Sequence, residues 1–150
     1  MVTRGKVEGL KELEKALMAL DKHTTRKSVA RKVLKRAAQP IADDMNRLAP
    51  SDPNTSEGLN TSYSVSTKLN KRQRKAAKKH KSDVEVYAGT NDPAGLQQEF
   101  GNVNHQAQPH ARPAWDKNKR NSLEIIKDGL SEEISKSVAR QEKKKAKAAK

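Results

Sequence analysis

The sequence predicts an α+β domain in which two N-terminal helices and one long C-terminal helix pack on a small antiparallel β-sheet. Apolar residues recur at helical spacing in 8–49 and again in 123–138, and between these regions two short segments alternate apolar with polar residues. A long basic segment separates the two alternating segments. The 150 residues fit one domain, which we place at 1–139, followed by a basic tail at 140–150.

The composition is strongly basic and limits the size of the core. There are 32 Lys and Arg residues against 18 Asp and Glu, a formal net charge of +14, and only 33% hydrophobic residues. This balance predicts a polyanion or an acidic protein as a neighbour, and a solvated basic surface is the alternative. The lack of Cys excludes disulfides and thiolate metal sites. No apolar run approaches the roughly 20 residues of a membrane span, and no signal peptide is apparent, so a soluble, unexported protein is expected.

Two amphipathic helices are predicted in the first third of the chain. Within 8–20, four leucines follow one another at intervals of three, four and three residues: Leu10, Leu13, Leu17 and Leu20. Thr24 or Thr25 is expected to cap the second helix. The apolar stripe of that helix consists of Val29, Val33, Ala37, Ile41, Met45 and Leu48. Pro40 lies inside the stripe and predicts a kink near 36–39 or two abutting helices.

A hairpin is predicted after a loop at 50–60. Its first strand carries Tyr63, Val65, Thr67 and Leu69, and its second carries Val84, Val86 and Ala88. The connection at 71–82 is expected to be a long loop with seven basic residues, namely Lys71, Arg72, Arg74, Lys75, Lys78, Lys79 and Lys81. Three interpretations remain open: a solvated excursion, contact with DNA phosphate, or contact with an acidic partner subunit. Base-specific recognition is disfavoured, since the loop has no aromatic residue for stacking.

The last helix is predicted from a stripe in the final third of the chain. Its members follow one another by three, four, four and four residues: Leu123, Ile126, Leu130, Ile134 and Val138. The 140–150 tail contains no apolar residue larger than Ala. We therefore expect this tail to be helical only near its start and to fray beyond it.

The segment 99–116 concentrates the unusual residues of the chain. It holds the only Phe, the only Trp, two of the six Pro and two of the four His. We expect 96–100 to be a strand or short helix, Phe100 to be anchored in the core, and Gly101 to turn the chain sharply. Pro113 suits the first turn of a helix, and Trp115 is expected to be buried where that helix begins.

The sequence offers little that could support catalysis. His105 and His110 lie five residues apart without Cys or paired carboxylates beside them, which favours two polar loop histidines over a metal site. Adjacent acids such as Glu132 and Glu133 point about 100° apart on a helix. The seven glycines form no phosphate-binding loop. We expect a protein without enzymatic activity, catalytic residues, metal or cofactor.

Several motifs in order resemble the neck or tail-completion family of long-tailed double-stranded DNA bacteriophages. They are the Gly-Leu-Lys-Glu-Leu-Glu-Lys-Ala-Leu opening at 9–17, Ala-Ala-Gln-Pro-Ile at 37–41 followed by Ala-Pro at 49–50, Glu-Phe-Gly at 99–101, and Ala-Arg-Pro-Ala-Trp-Asp at 111–116. The chain departs from the family pattern at Asn102, where Thr is usual, and at 110–113, where Phe-Leu-Arg-Pro is shortened.

The resemblance implies the same α+β fold and a structural role in the virion. Such a protein is assembled in the host cytoplasm into the head-tail junction, as a homo-oligomeric ring around the DNA channel for which six copies are favoured. Its partners would be head-closure or connector proteins and tail terminator or tail-tube proteins, with possible non-specific contact with phage DNA and no membrane. The alternative function is a cytosolic nucleic-acid-binding protein without sequence specificity.

The resemblance also assigns roles to residues of 100–115. The core anchors of the family motif would be Phe100, Gly101, Arg112, Pro113 and Trp115. Between these anchors lies a polar loop, which we expect to contact a neighbouring subunit through Asn102, Val103, Asn104, His105, Gln106 and Gln108. A plain surface connection is the alternative for this loop.

Overall fold

A computed structural model describes residues 9–20, 22–51, 58–77 and 82–149 of the chain. Five α-helices and two β-strands follow one another along it, with a short 3-10 helix at Leu59–Thr61. In chain order the elements are α1 (Leu10–Met18), α2 (His23–Leu48), β1 (Ser64–Ser66), α3 (Lys71–Ala77), β2 (Tyr87–Gly89), α4 (Pro93–Phe100) and α5 (Ala111–Ala148). The α+β class predicted from the sequence is confirmed. None of the described helices is long and apolar enough to cross a membrane.

The antiparallel pair of long helices, α2 and α5, is the frame of the domain. These two helices share a more extensive contact than any other pair of elements. Their close approach is clearest at Gly129, where an added Cβ would lie 3.0 Å from Cγ1 of Val33. Small residues at such crossings let two backbones come near each other, and Gly129 therefore has a packing role that offsets its poor helix propensity.

Two apolar clusters lie at opposite ends of this frame. The larger one joins α2, the 3-10 helix, the residue before β1 and the start of α5, and it contains Ile41, Met45, Ala49, Leu59, Tyr63 and Ala114. The smaller one joins α2, the middle of α5 and α1, and it is built on Leu20, Val29 and Ile134. The predicted inward face of α1 is confirmed, since Leu13 and Leu17 pack against this smaller cluster.

The second helix differs from the prediction at its start and at the last residue of its stripe. It begins at His23 after an extended Lys22 and has no side-chain cap, so Thr24 and Thr25 lie inside the first turn and the predicted threonine cap is wrong. It continues through Pro40 as one helix, which excludes two abutting helices. The predicted stripe is buried from Val29 to Met45, whereas Leu48 at the end of the helix is exposed.

The buried face of α5 is not the apolar stripe that the sequence suggested. Leu123, Ile126 and Leu130 are only half-buried, and Val138 is exposed. The buried residues are mostly small or polar: Ala114, Asn118, Ser122, Gly129, Glu133, Ile134 and Ser137. Because α2 lies so close, its partner face must be made of small side chains, and the larger apolar residues flank the contact.

Helix α5 also extends beyond the predicted fraying point. It runs unbroken to Ala148, so the expectation that the 140–150 tail is helical only near its start is wrong. The tail consists of Ala, Lys, Arg, Gln and Glu, all of which are strong helix formers. Intrinsic propensity therefore sustains the helix where packing no longer does.

The hairpin is present and shorter than predicted. Strands β1 and β2 pair antiparallel with Val65 opposite Ala88, while Val84 and Val86 lie before β2. The 50–60 segment was predicted to be a loop, but its Leu59 belongs to a 3-10 helix and is a core residue. Residues 52–57 lie outside the described part of the chain. The 3-10 helix inserts Leu59 beneath the hairpin.

The basic connection contains a helix rather than only a loop. Helix α3 starts with a reciprocal capping box, in which Asn70 Oδ1 accepts the Gln73 N–H at 2.9 Å and Gln73 Oε1 accepts the Asn70 N–H at 3.0 Å. This pair explains why the long-loop prediction fails here. Of the predicted contact residues, the structure exposes Lys71, Arg72, Arg74 and Lys75 on α3, while Lys78, Lys79 and Lys81 lie outside the described residues.

Replacing Gly129 by Leu tests the close approach of α2 and α5. The side chain would meet Val33, and we expect a loss of about 1–3 kcal/mol in the free energy of unfolding despite the better helix propensity of Leu. Urea unfolding measures this change. Ser131→Leu, at an exposed position of the same helix, is the control and should change stability little. Parent-like stability of Gly129→Leu would contradict the observed contact.

Candidate functional site

Helix α4 is a short helix held on the hairpin by its first turn. Asp92 caps it by accepting the Ala94 N–H at 2.8 Å, and Pro93 occupies the first helical position. An added Cβ at Gly95 would lie 2.9 Å from the Tyr63 hydroxyl, so α4 lies directly over the residue before β1. The segment 96–100 is therefore helical, one of the two structures predicted for it.

The sharp turn predicted at Gly101 is confirmed. Gly101 has φ +74°, and an added Cβ would lie 2.8 Å from the Ala107 nitrogen and 2.9 Å from the His105 carbonyl oxygen. Both the backbone conformation and the lack of space therefore require glycine. The turn directs the chain from the end of α4 into the 102–108 loop.

The start of α5 is capped by a side chain from another helix. His110, at the N-cap position, makes no side-chain cap, and the carboxylate of Glu99 on α4 takes over. Glu99 Oε2 accepts the backbone N–H groups of His110 at 2.7 Å and Ala111 at 2.8 Å. Glu99 Oε1 accepts the Arg112 backbone N–H at 3.2 Å and its Nε–H at 2.8 Å. One carboxylate thus satisfies three donors of a helix start and an arginine.

These hydrogen bonds determine the protonation of Glu99. Burial on its own would raise the pKa of Glu99, but donation by His110, Arg112 and Ala111 outweighs burial and lowers that pKa from 4.5 to about 2. The Arg112 guanidinium also donates to the Glu99 carbonyl at 3.1 Å. Helix α4 and helix α5 are therefore joined by a charged, fully hydrogen-bonded group.

A buried histidine extends this junction to the hairpin. His110 is fully buried, so it is not the polar loop histidine that the sequence suggested. Its Nδ1 lies 3.0 Å from the Gln108 carbonyl, which can only accept, so Nδ1 carries the proton and Nε2 accepts from the Tyr63 hydroxyl at 2.5 Å. Burial, with the nearby charges of Glu99 and Asp92, raises the pKa of Tyr63 to about 12.

The 102–108 loop is a compact turn that is held by hydrogen bonds within the subunit. Asn102 and His105 exchange backbone hydrogen bonds of 2.8 and 3.2 Å, and Asn102 Oδ1 accepts the Asn104 N–H at 2.9 Å. His105 Nε2 lies 2.7 Å from Gln98 Oε1 on α4. Val103 at the tip is fully exposed. The loop residues proposed for an inter-subunit contact are therefore on the surface and fixed in position.

Two of the predicted core anchors are not in the core. Phe100 is 63% exposed and Trp115 is 54% exposed, which contradicts the expected burial of both. On α4 the inward positions belong to Gly95 and Glu99, and on α5 they belong to Ala114 and Asn118. Since successive residues of a helix point about 100° apart, Phe100 and Trp115 face away. The anchors of the junction are Glu99 and His110.

The other three predicted core anchors are Gly101, Arg112 and Pro113. Gly101 makes the turn as predicted, and Pro113 lies exposed in the first turn of α5. Arg112 binds Glu99, and its guanidinium carbon lies 5.1 Å from the centre of the Phe100 ring. Arg112 is thus a surface residue that links the buried carboxylate to the exposed aromatic ring.

Four of the seven large apolar residues that are exposed in the described part of the chain belong to the elements of this junction, and we call these four the apolar surface. They are Leu96, Phe100, Val103 and Trp115. Leu96 and Phe100 are one turn apart on α4, Arg112 covers the Phe100 ring, and Trp115 lies one turn after Arg112 on α5. Aromatic residues, Arg and large apolar groups on a fixed scaffold are typical of protein–protein contacts.

Sequence reasoning missed the two polar residues on which the apolar surface depends. Glu99 was noticed only as part of a motif, and nothing in its local pattern shows that it caps a helix eleven residues later. His110 looked like a loop residue because Pro109 and polar residues surround it. In the part of the chain that the structure describes, no group of three or more His, Asp or Glu could hold a metal ion.

A comparison with protein families matches residues 11–101 of the chain. The family is described as "Bacteriophage HK97-gp10, putative tail-component". The matched region runs from α1 to the glycine that ends α4. Comparison with curated proteins and with solved structures finds no match.

Replacing Glu99 by Gln tests the cross-helix cap through its pH dependence. The lowered pKa means that the ionised Glu99 stabilises the fold above about pH 4.5 and that this contribution is lost as the pH falls toward 2. We expect Glu99→Gln to lose about 2–3 kcal/mol at pH 7 and less near pH 2.5, measured by urea unfolding. Glu124→Gln, at an exposed position of α5, is the control. An equal loss at every pH would contradict the role of the charge.

Proposed function

The chain belongs to the HK97-gp10-like family, and from this membership we propose that it is a structural, non-enzymatic protein of the phage neck. In this role it completes the tail and joins it to the DNA-filled head. The family supports a tail component of the virion, and the motif order at 9–17, 37–50 and 99–116 supports the narrower assignment to the head-tail junction.

The observation that carries the proposal is the apolar surface around the start of α5. A chain with only 3% aromatic residues leaves its single Phe and single Trp largely exposed, on elements fixed by Glu99 and His110. Exposing such side chains is unfavourable for a lone subunit, and their burial against a neighbour would stabilise an assembly. The fold thus supplies a preformed contact for other virion proteins.

We assign this contact to neighbouring copies of the chain in a closed ring. The turn at 102–105 is already hydrogen-bonded within the subunit, so little conformational entropy would be lost when Val103 and the polar loop residues meet a neighbour. Identical subunits joined head to tail close into a ring. Six copies are favoured, because the resemblance implies a six-fold tail.

The net positive charge of the subunit is expected to delay ring formation until the subunit meets the head or the tail. With +14 on each copy, self-repulsion opposes assembly of the free protein. The subunit would therefore stay monomeric in the host cytoplasm and close onto a head connector or a tail end that already exists. The exposed cations of α3 would then face either the DNA or an acidic neighbour, which are the two contacts considered for the basic segment.

Replacing the two exposed aromatic residues separates assembly from folding. Because Phe100 and Trp115 are largely exposed, Phe100→Ser/Trp115→Ser should melt within a few degrees of the parent. It should nevertheless fail to produce tailed particles when it replaces the parent in infected cells. Val138→Ser, at an exposed apolar position far along α5, should assemble normally. A large drop in the melting temperature of the double variant would instead indicate that Phe100 and Trp115 are core residues.

Phage particles made without this protein test the neck assignment itself. We expect DNA-filled heads and separate tails, and we expect purified protein added to that lysate to restore infectious particles. Electron cryomicroscopy of the restored particles should show a ring of this chain between head and tail. Missing tails, empty heads or complete particles in the absence of the protein would each refute the joining role.

A further inference from the structure

A strongly basic notch lies at the opposite end of the α2–α5 frame from the apolar surface. It is a cavity of about 330 Å³ between the start of α2 and the last third of α5. Its lining residues are Lys22, Thr25, Ser137, Arg140, Gln141, Lys144 and Lys145. Four of these seven residues are cationic, and none is acidic.

The cations of the notch differ from those along the rest of the helix pair. In the middle of the frame, Lys32 binds Glu133 at 2.6 Å and Arg36 binds Glu132 at 3.4 Å across α2 and α5. Within 9–20, 22–51, 58–77 and 82–149, no carboxylate pairs with any of the four notch cations. Cross-helix charge pairing therefore stops where the notch begins, and its positive charge is left uncompensated.

The start of α2 borders the notch through Lys22 and Thr25. Its N-cap residue Lys22 provides no side-chain cap, and the first turn contains no acidic residue. The Lys22 carbonyl accepts from Thr25 and Arg26, while the backbone N–H groups of His23 and Thr24 have no hydrogen-bond partner in the described part of the chain. The helix start thus presents unused N–H groups and the positive end of its dipole.

Ser137 independently indicates a ligand. It is only 6% exposed and lines both the notch and an adjoining cavity of about 290 Å³. Ser135 on the same helix bonds its hydroxyl back to the Ser131 carbonyl at 2.9 Å, whereas the Ser137 hydroxyl has no hydrogen-bond partner among the residues that the structure describes. Ser137 Oγ is not sealed off from solvent as Ser122 Oγ is, so the hydroxyl of this largely buried residue is open to a ligand in the notch, beside four cations.

We propose that the notch binds a backbone phosphate of double-stranded DNA. Three of its four cations are lysines, which bind phosphate as point charges, and a serine hydroxyl such as that of Ser137 commonly contacts phosphate oxygens. The start of α2, which borders the notch, adds the positive end of a helix dipole. No aromatic residue lines it, so bases are not read and binding is independent of sequence. The site goes beyond the neck role, for which the basic segment at 71–82 was the predicted DNA contact.

The size of the site limits its strength. A notch with four cations can neutralise at most about four phosphates, which gives a salt slope no steeper than about −4 and non-specific, micromolar binding or weaker. A protein that coats DNA would need a longer basic track and a steeper slope. The notch therefore suits a subunit that touches DNA at one place while other contacts hold it in the virion.

Fluorescence anisotropy with a labelled 20-base-pair duplex tests the notch. At about 50 mM salt, Arg140→Gln/Lys144→Gln should weaken binding about ten-fold and reduce the salt slope by about 2. The matched control is Arg31→Gln/Lys35→Gln, which removes the same two residue types at the same four-residue spacing from an exposed face of α2. The control should remain within about two-fold of the parent, and circular dichroism should show both variants folded.

Two further measurements make the site refutable. Ser137→Ala should weaken binding a few-fold without changing the salt slope, since it removes a hydrogen bond and no charge. If the notch variant and the control lost the same amount of DNA affinity, or if Ser137→Ala bound DNA like the parent, the proposed site would be refuted. DNA binding would then be due to the overall positive charge of the protein. Tighter binding of poly-glutamate than of the duplex, lost in the notch variant, would assign the notch to an acidic protein. None of these outcomes depends on where the chain lies in the virion.

Discussion

The first turn of α5 depends on a carboxylate that belongs to α4. A helix start leaves backbone N–H groups without partners, and here the buried Glu99 accepts three of them together with the Arg112 side chain. His110, held between Glu99 and Tyr63, carries the same network to the hairpin. One ionised group therefore positions α4, the loop after it, the start of the longest helix and the sheet relative to one another.

This polar junction explains why the aromatic residues are on the surface. The inward positions of α4 and α5 are filled by Glu99, Gly95 and Ala114, which need close backbone approach or hydrogen bonds rather than bulk. Phe100 and Trp115 directly follow two of these residues, so the geometry of a helix turns them outward. The same polar junction thus accounts both for the exposure of these aromatic residues and for the fixed position of the surface that we propose contacts other subunits.

The sequence predicted those parts of the fold that local periodicity determines. The inward faces of α1 and α2 and the pairing of β1 with β2 follow from three-to-four-residue and two-residue patterns. The face of α5 could not be found this way, because a close helix contact selects Gly129, Ser122 and Ser137 and leaves no apolar signal. The Glu99 cap could not be predicted from local pattern, because Glu99 and the N–H groups that it accepts are 11 to 13 residues apart and meet only in the folded chain. The Asn70–Gln73 capping box, by contrast, has the three-residue spacing of a local sequence signal.

The distribution of paired and unpaired cations along the molecule connects the proposed subunit contact at the apolar surface with the proposed DNA contact at the notch. Acidic residues of α2 and α5 pair with cations in the middle of the frame, through Glu132 and Glu133, and at its apolar-surface end, where Asp44 binds Arg47 and Lys117. Hydrogen bonds from Lys117, Asn118 and Arg47 hold the pKa of Asp44 well below its usual range. The cations of α3 and of the notch have no such partners among the described residues. In the proposed ring, neighbouring copies would bring these charges together, and phosphate at the notch would offset part of the repulsion between subunits, since four of their cations line the notch. Assembly would then be favoured where DNA is already present.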